Sequence, residues 1–488
     1  MWHYHGALMA AILITSWVVL PCSGQCTMGI ANTCMLNSLN MASDGIATLR
    51  KIPPNVFYAI SVELVRMPEN PSGVFLQRMA EFVNKIEIYQ YYEQVFQILP
   101  GTSLQAVTVY RALSLNQVVI APNLNISELF ITVCPLVRIP PTIRNLEQLK
   151  VLTITRCAVK EFSFDLFTNN LKLDTLDLSF NEIRSIVPTI ISTPFTLPIE
   201  NLYLQNNLLE KLDMTAFVSL GALRGLDLSY NNLLTIAAQS TVTWPAVDFW
   251  NLQNNNLTTL DLQWLSAPNL QRLLLDSNKF QAVPQRLRRF PSLQLVAMSD
   301  NLLKSIDLAP FNGLPNLNSI DFSYNKEARG IRATRPVSLP MLTTLYAEHC
   351  ALVRFNTTGL DLPVINYISL SHNNFTTVPR LATAFPSIDS FSLEYNPLPC
   401  TTVQAMTENI MSGRLIVGLP QDPEDCTSGF SKESGSLTIP VLVSVSVSNW
   451  SSGAATRSDC ICGAFPTEIP DNLQPAGIRK KRSWNFLY

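Results

Sequence analysis

Between about Ile126 and Leu398 the apolar positions repeat as L-x-x-L-x-L-x-x-N-x-L. The pattern is written by Leu173-Leu176-Leu178-Asn181-Ile183, then Ile199-Leu202-Leu204-Asn207-Leu209 and Leu223-Leu226-Leu228-Asn231-Leu233. It continues through units starting at Val247, Leu270, Leu293, Leu317, Leu342, Ile365 and Ile388, with starts about 23–26 residues apart. The L-x-L core is strand alternation, so the leucines face inward and the x residues outward. Each unit is too short to bury its own apolar side chains. Stacked units bury them against one another. The Asn carries both donors and an acceptor, and a stack of such amides can satisfy backbone groups where the chain bends inside the stack.

On these residues the chain resembles the leucine-rich-repeat family. The resemblance implies an α/β solenoid: a curved horseshoe with a parallel β-sheet on its concave face. The convex side reads as irregular and short-helical. Ala216, Phe217 and Leu220, and likewise Leu308, Phe311 and Leu314, have helical spacing, whereas Pro188, Pro194, Pro198, Pro245, Pro284 and Pro291 favour extended or tight turns. Weaker turns read upstream at Phe57-Ile60-Val62, Val83-Ile86-Ile88 and Leu104-Val107-Val109. Cys134, Cys157 and Cys350 occupy the Asn position of their units. They read as small, buried ladder substitutes rather than as disulfide partners.

The first residues change the picture from fold to compartment. Ala7–Leu20 is an uncharged apolar run followed by Pro21-Cys22-Ser23-Gly24, the pattern of a cleaved secretory signal. The expected organisation is a signal at 1–24, an N-terminal cap with Cys26 and Cys34 at 25–56, repeats at 57–398, a C-terminal cap with Cys400 and Cys426 at 399–430, and a low-order tail at 431–488. Cys26 and Cys34 can close a small loop over the first repeat. The placing of Cys400 and Cys426 resembles the cysteine-bearing exit cap of extracellular leucine-rich-repeat proteins, which implies that they pair. Cys460 or Cys462, left over in the tail, could join another chain. Arg479-Lys480-Lys481-Arg482-Ser483 resembles a proprotein-convertase site, with a solvated charge run as the alternative reading. Asn125, Asn256, Asn356, Asn374 and Asn449 begin N-x-S/T, and Asn125, Asn356 and Asn449 are the favoured glycan acceptors.

Chemistry is sparse. The chain holds no nucleophile elbow, P-loop, dinucleotide fingerprint or H-E-x-x-H motif, and beyond the signal its histidines are His349 and His372. No cofactor or metal is expected, and an enzyme is disfavoured. A net charge of −2 gives no basis for nucleic-acid binding, and no stretch after the signal is long enough to span a bilayer. The outward x positions are more informative. They include Tyr203, Asp227, Tyr230, Asp248, Phe249, Tyr324, Tyr346, His349, Tyr367 and His372, and further acids such as Asp177, Asp276, Asp321, Glu348 and Glu394. Tyrosines among acids and amides make a protein-binding surface that favours a basic or neutral partner. Part of that acidity, at Asp177, Asp227 and Asp321, is repeat consensus. His349 and His372 occupy the same position of consecutive units, so their rings should lie side by side. Three readings follow: plain surface, a metal pair completed by Glu348 or Glu394, or a pH-sensitive pair.

The signal, the paired cysteines at entry and exit and the Asn-bearing repeats resemble the mosquito leucine-rich immune proteins. That resemblance implies a role in humoral, complement-like defence. No heptad region follows Cys426, so the chain looks like a coil-less member. The expected function is a secreted, non-enzymatic recognition scaffold of innate immunity; the alternative is an adhesion or matrix-interaction protein without an immune role.

Overall fold

A computed structural model describes residues 27–28, 32–52, 56–67, 72–188 and 195–417. Cys26, Cys426, Asn449, Cys460, Cys462, the basic cluster at 479–483 and the signal segment lie outside the described residues.

Of the described strands, eighteen form one sheet, and all but the first pairing in it are parallel. Each repeat contributes one strand in constant register: Leu152↔Leu176↔Leu202↔Leu226↔Trp250. The register continues Leu273↔Val296↔Ile320↔Leu345↔Ile368↔Phe391. These are the middle apolar positions of the repeat. Their side chains are buried, because one strand per unit with period-two alternation puts all of them on the inner side.

The chain reaches the sheet earlier than the clear repeats suggest. Thr33–Asn40, Ala59–Arg66, Lys85–Gln90 and Ala106–Val109 are parallel strands of the same sheet. Ile60, Ile86 and Val107 are in register and fully buried. Thr27–Met28 folds back antiparallel on the first of them. At the other end, short helices Cys400–Ala405 and Thr407–Met411 lead to Leu415–Ile416, which adds a last strand beside Phe391 and Ser392.

Outside the sheet the connections are short α-helices such as Ser72–Met79 and Leu381–Ala384, 3-10 turns such as Met214–Phe217 and Ala309–Phe311, and strands of two to four residues. Rings from these connections and from the strands fill part of the interior. Phe162, Phe164, Phe217, Trp244 and Trp250 touch edge to face in succession, with centroids 5.2–6.0 Å apart.

The amide ladder is present. Asn278 donates to the carbonyls of Leu252 (2.9 Å) and Leu275 (3.1 Å) and accepts the Leu257 N–H (3.0 Å). Asn181, Asn207, Asn231, Asn255, Asn301, Asn325, Asn373 and Asn396 donate in the same way to the preceding repeat. Cys350 substitutes in part, its thiol 3.4 Å from the carbonyls of Phe322 and Glu348.

The ladder reading fails for the other two cysteines: Cys134 and Cys157 are joined by a disulfide. The reason is geometric. Equivalent positions on neighbouring parallel strands lie one strand spacing apart, and their Cα–Cα distance of 4.6 Å falls inside the range a disulfide bridges. Cys34 is buried and disulfide-bonded.

Candidate interaction surface

The outward residues of the repeat form two columns with different backbone origins. Residues between the two inward leucines ride on the strands; Tyr203 lies beside Asp177 and Asp227, and Tyr346 beside Asp321 and Ser369. Residues just before the ladder Asn sit where the chain turns inward. There Phe180, Asn206, Tyr230, Asn254, Ser277, Asp300, Tyr324, His349, His372 and Tyr395 all have φ between 50° and 61°. This left-handed conformation is rare outside glycine. It recurs because the turn must swing the next side chain into the core. It also pushes the turning residue out: Tyr230, Tyr324 and Tyr395 are all exposed.

The candidate residues therefore divide. Tyr203, Asp227, Phe249, Tyr346 and Tyr367 are strand-borne, while Tyr230, Tyr324, His349 and His372 belong to the turn column. Asp248 lies at the entrance of the strand that begins at Phe249.

In the first half of the surface several charges are committed locally. Asp227 accepts the Ser229 N–H (2.8 Å) and an Asn251 amide N–H (3.3 Å). Burial pushes its carboxyl above the usual range despite those bonds. Asp177 and Asp321 hold the N–H of Ser179 and Ser323 in the same way. Consensus acidity is thus backbone capping. Asp248 differs: burial raises its carboxyl, opposed by Arg272 and Arg224. Arg272 lies over the Phe249 ring at 4.7 Å, and Arg224 reaches Glu200 at 3.4 Å. Tyr203 is pushed up by burial and by Asp177 and Asp227.

The second half holds a feature only half visible in the sequence. His349 and His372 are face-stacked at 3.9 Å, and a tyrosine closes each end: Tyr324 on His349 at 4.7 Å and Tyr395 on His372 at 4.2 Å. Interplanar angles are 8–13°. The tyrosines occupy the same repeat position as the histidines, and that shared position was the available signal. Stacking argues against chelation by the pair, because imidazole lone pairs lie in the ring planes and parallel planes do not converge on one ion. Burial and His372 hold the His349 imidazole below its usual range, with Lys326 adding to this and Glu348 opposing it.

Beside the stack runs a hydroxyl–carboxylate chain that sequence reasoning missed. Ser369 donates to Glu348 (2.6 Å), Ser371 and Ser392 share a hydrogen bond (2.7 Å), and Ser392 donates to Glu394 (3.3 Å). Tyr346 and Tyr367 meet edge to face at 5.9 Å. Asp321 is pushed up to about 6, by burial first and then by Asp276 and Glu348, against its bonds to Ser323.

Register, amide ladder and left-handed turns decide the architecture. The chain is a leucine-rich-repeat solenoid. The leucine rich repeat family profile matches residues 198–257 and 291–352 of this repeat protein. Among solved structures, the APL1 leucine-rich repeat domain superposes with a TM-score of 0.52 at 18% identity, covering 77% of this chain and 90% of that one. The LRIM1/APL1C complex gives 0.51 at 18% identity, covering 82% and 72%. In sequence, Tsukushi of Gallus gallus is 27% identical over 256 residues, 46% of this chain and 69% of that protein. Osteomodulin of Bos taurus is 24% identical over 263 residues, 45% and 61%. The repeat protein therefore spans about two thirds or less of the length of these relatives. No helix among the described residues is long and apolar enough to cross a membrane.

Proposed function

We propose that the protein is a secreted, non-enzymatic recognition scaffold of innate immunity that binds a protein partner on the concave face of its sheet. One observation carries this reading. The outward face and its turn column present tyrosines, histidines and carboxylates, while every described glycan sequon lies off the strands that bear them. Asn125 precedes the strand Glu128–Thr132, Asn256 and Asn374 follow ladder amides, and Asn356 follows the short strand Arg354–Phe355. Asn125 and Asn356, favoured acceptors from the sequence, are both exposed. Sugars at any of these positions leave the face open. Its rigid aromatic side chains lose little entropy on binding, and its carboxylates suit a basic or neutral partner.

The test is capture from body fluid with the full chain as bait, followed by affinity measurement on the captured partner. Combined replacement of Tyr203, Asp227, Tyr230 and Asp248 should abolish binding, and Tyr230→Ala alone should cost about 2 kcal/mol if that ring is an anchor. Unchanged affinity of the combined variant excludes the face. Non-reducing gels of the same material test for a disulfide-linked assembly through Cys460 or Cys462, with a monomer band in both lanes as the contrary result. Expression that does not respond to infection favours the adhesion or matrix reading instead.

A further inference from the structure

We infer that the flank of the solenoid between Leu303 and Asn356 carries a second site, a cationic band that takes a sulfated linear polysaccharide. Lys304, Lys326, Arg329, Arg332, Arg335 and Arg354 are all exposed. Among the described residues none of the six forms an ion pair, and none of their side-chain nitrogens donates a hydrogen bond. The chain as a whole carries a net charge of −2, and the outward face of the sheet is acidic. Six exposed cations on one flank, set against Asp307, Glu327 and Asp361, are a surplus of positive charge and not the chain's average.

The fold aligns them. Ile306–Asp307, Gly330–Arg332 and Arg354–Phe355 form a small parallel sheet in which Ile306, Ile331 and Phe355 share one register and are buried. Alternation turns their strand neighbours Arg332 and Arg354, and with them Asp307, outward. Arg329 N–H bonds to the Lys304 carbonyl at 3.2 Å, so these two residues are joined across adjacent repeats. Arg354 lies flat over Gly330: a Cβ there would meet Arg354 Cγ at 3.0 Å and Nε at 3.2 Å. The glycine makes room for the guanidinium stem along the sheet. Neighbouring strands are about 4.8 Å apart, so Arg332 and Arg354 on the strands, with Arg329 tied to Lys304 just before them, run across the repeats instead of around a pocket; Lys326 and Arg335 flank the middle strand in sequence.

The nearby carboxylates offset part of the row: Asp307 stands in register beside Arg332, and its carboxyl, raised by burial, is held below the usual range by its bonds to Thr334 and Ala309 and by that guanidinium. Asp307 is occupied by the N–H groups of Ala309 and Thr334 (3.0 Å each) and the Thr334 hydroxyl (2.6 Å). Asp361 accepts from the Ser338 hydroxyl at 2.7 Å. With Glu327 that makes three carboxylates against six cations, and the flank keeps a positive surplus. A flat row of guanidinium and ammonium groups matches a linear polyanion, and guanidinium forks suit sulfate oxygens as they suit phosphate. No exposed aromatic ring lies on the three strands of this small sheet, and single-stranded nucleic acid is usually held by stacking. The inference rests on the proposed extracellular placement, where sulfated chains are met; Lys326 borders His349 of the protein-binding face, and the other five cations use a different surface.

Asn356 is part of the argument, since its N–H bonds to the Ile331 carbonyl at 2.9 Å and it stands beside Arg332. A glycan there would lean over the band, so the test uses native and Asn356→Gln protein. Each is bound to immobilised heparin across a salt series. Arg329→Gln/Arg332→Gln/Arg354→Gln is compared with a control that removes three exposed cations elsewhere, Arg78→Gln/Arg111→Gln/Lys172→Gln. Asn356→Gln protein should be retained at least as strongly as native. The band variant should lose about tenfold or more in affinity, and its salt slope should fall by about one per cation removed. The control should change little. Equal losses from both triples, or no retention of Asn356→Gln protein, would overturn the inference. So would displacement by duplex DNA as effective as by free heparin. Because captured protein partners read the other face, their binding should be the same for the band variant and the parent.

Discussion

The rungs up to Cys157 and those from Asn181 onward share one strand register but close their inner corner differently. In the later rungs up to Ser390–Ser392 each strand is three residues long, and in all but the Cys350 rung an amide joins the bend to the previous repeat. In the earlier rungs the strands run to eight residues, and the ladder position holds Val65, Tyr91, Ala112 or the bonded pair Cys134–Cys157. Amides are still used there, but on the far side of the coil. Asn123 donates to Thr102, Asn145 to Ile120 and Asn170 to Leu146, at 2.7–2.8 Å. The difference shows what the repeat requires. Either more backbone pairing or a covalent tie can replace the corner amide, provided no buried carbonyl is left alone.

The largest expected effect lies in the later rungs. Asn278→Leu removes the donor to Leu252 and Leu275 and the acceptor for Leu257 N–H. Leaving these buried groups unpaired should cost about 3–5 kcal/mol, read as a shifted midpoint in chemical denaturation. A loss below 1 kcal/mol would mean the ladder is incidental.

Next comes the covalent tie. Cys134→Ser/Cys157→Ser opens a loop with a sequence separation of 23 and should cost about 3 kcal/mol. Placing Asn at both positions should recover part of this if amide and disulfide are equivalent solutions. If the Asn pair is no better than the Ser pair, the early rungs have lost the geometry an amide needs.

Acid response should separate the two regions with a smaller effect. Asp321, in the later rungs, has its carboxyl raised to about 6 by burial and by neighbouring acids. The folded state holds this proton between its ordinary value near 4 and 6 while the unfolded chain has released it. Stability from this group therefore falls as pH rises through that window and is flat above it. Asp321→Asn keeps an acceptor for the Ser323 N–H and should remove the slope, a change on the order of 1 kcal/mol. His349 contributes the opposite sign: its lowered value means the unfolded state binds more protons just below the ordinary imidazole range, so its contribution rises with pH there. Amide exchange at pH 4.5 and 7 should show both responses between Asp276 and Tyr395. Equal responses in the strands before Cys157 would contradict the assignment.

The repeat was legible because its determinants are local: apolar spacing fixes the strand, and the Asn fixes the bend. The disulfide was missed because Cys at a ladder position satisfies the pattern equally well alone or bonded. Cysteines in two consecutive units carried the clue once neighbouring rungs are recognised as a strand spacing apart. The surface was legible as a list of outward residues but not as their commitments. Asp227 is tied to Ser229 and Asn251, and that depends on rotamers; His349 and His372 are closed by Tyr324 and Tyr395, which appears only when one repeat position is read as a column.

The most direct test of the central proposal is an exchange footprint of the full chain with its captured protein partner. Protection should fall on the outward strands and turns from Asn201 to Tyr395, and be weakened around Tyr203–Asp248 when those side chains are replaced. Protection confined to the outer turns, such as Met214–Phe217 and Ala309–Phe311, with the sheet exchanging as in the free protein, would contradict it.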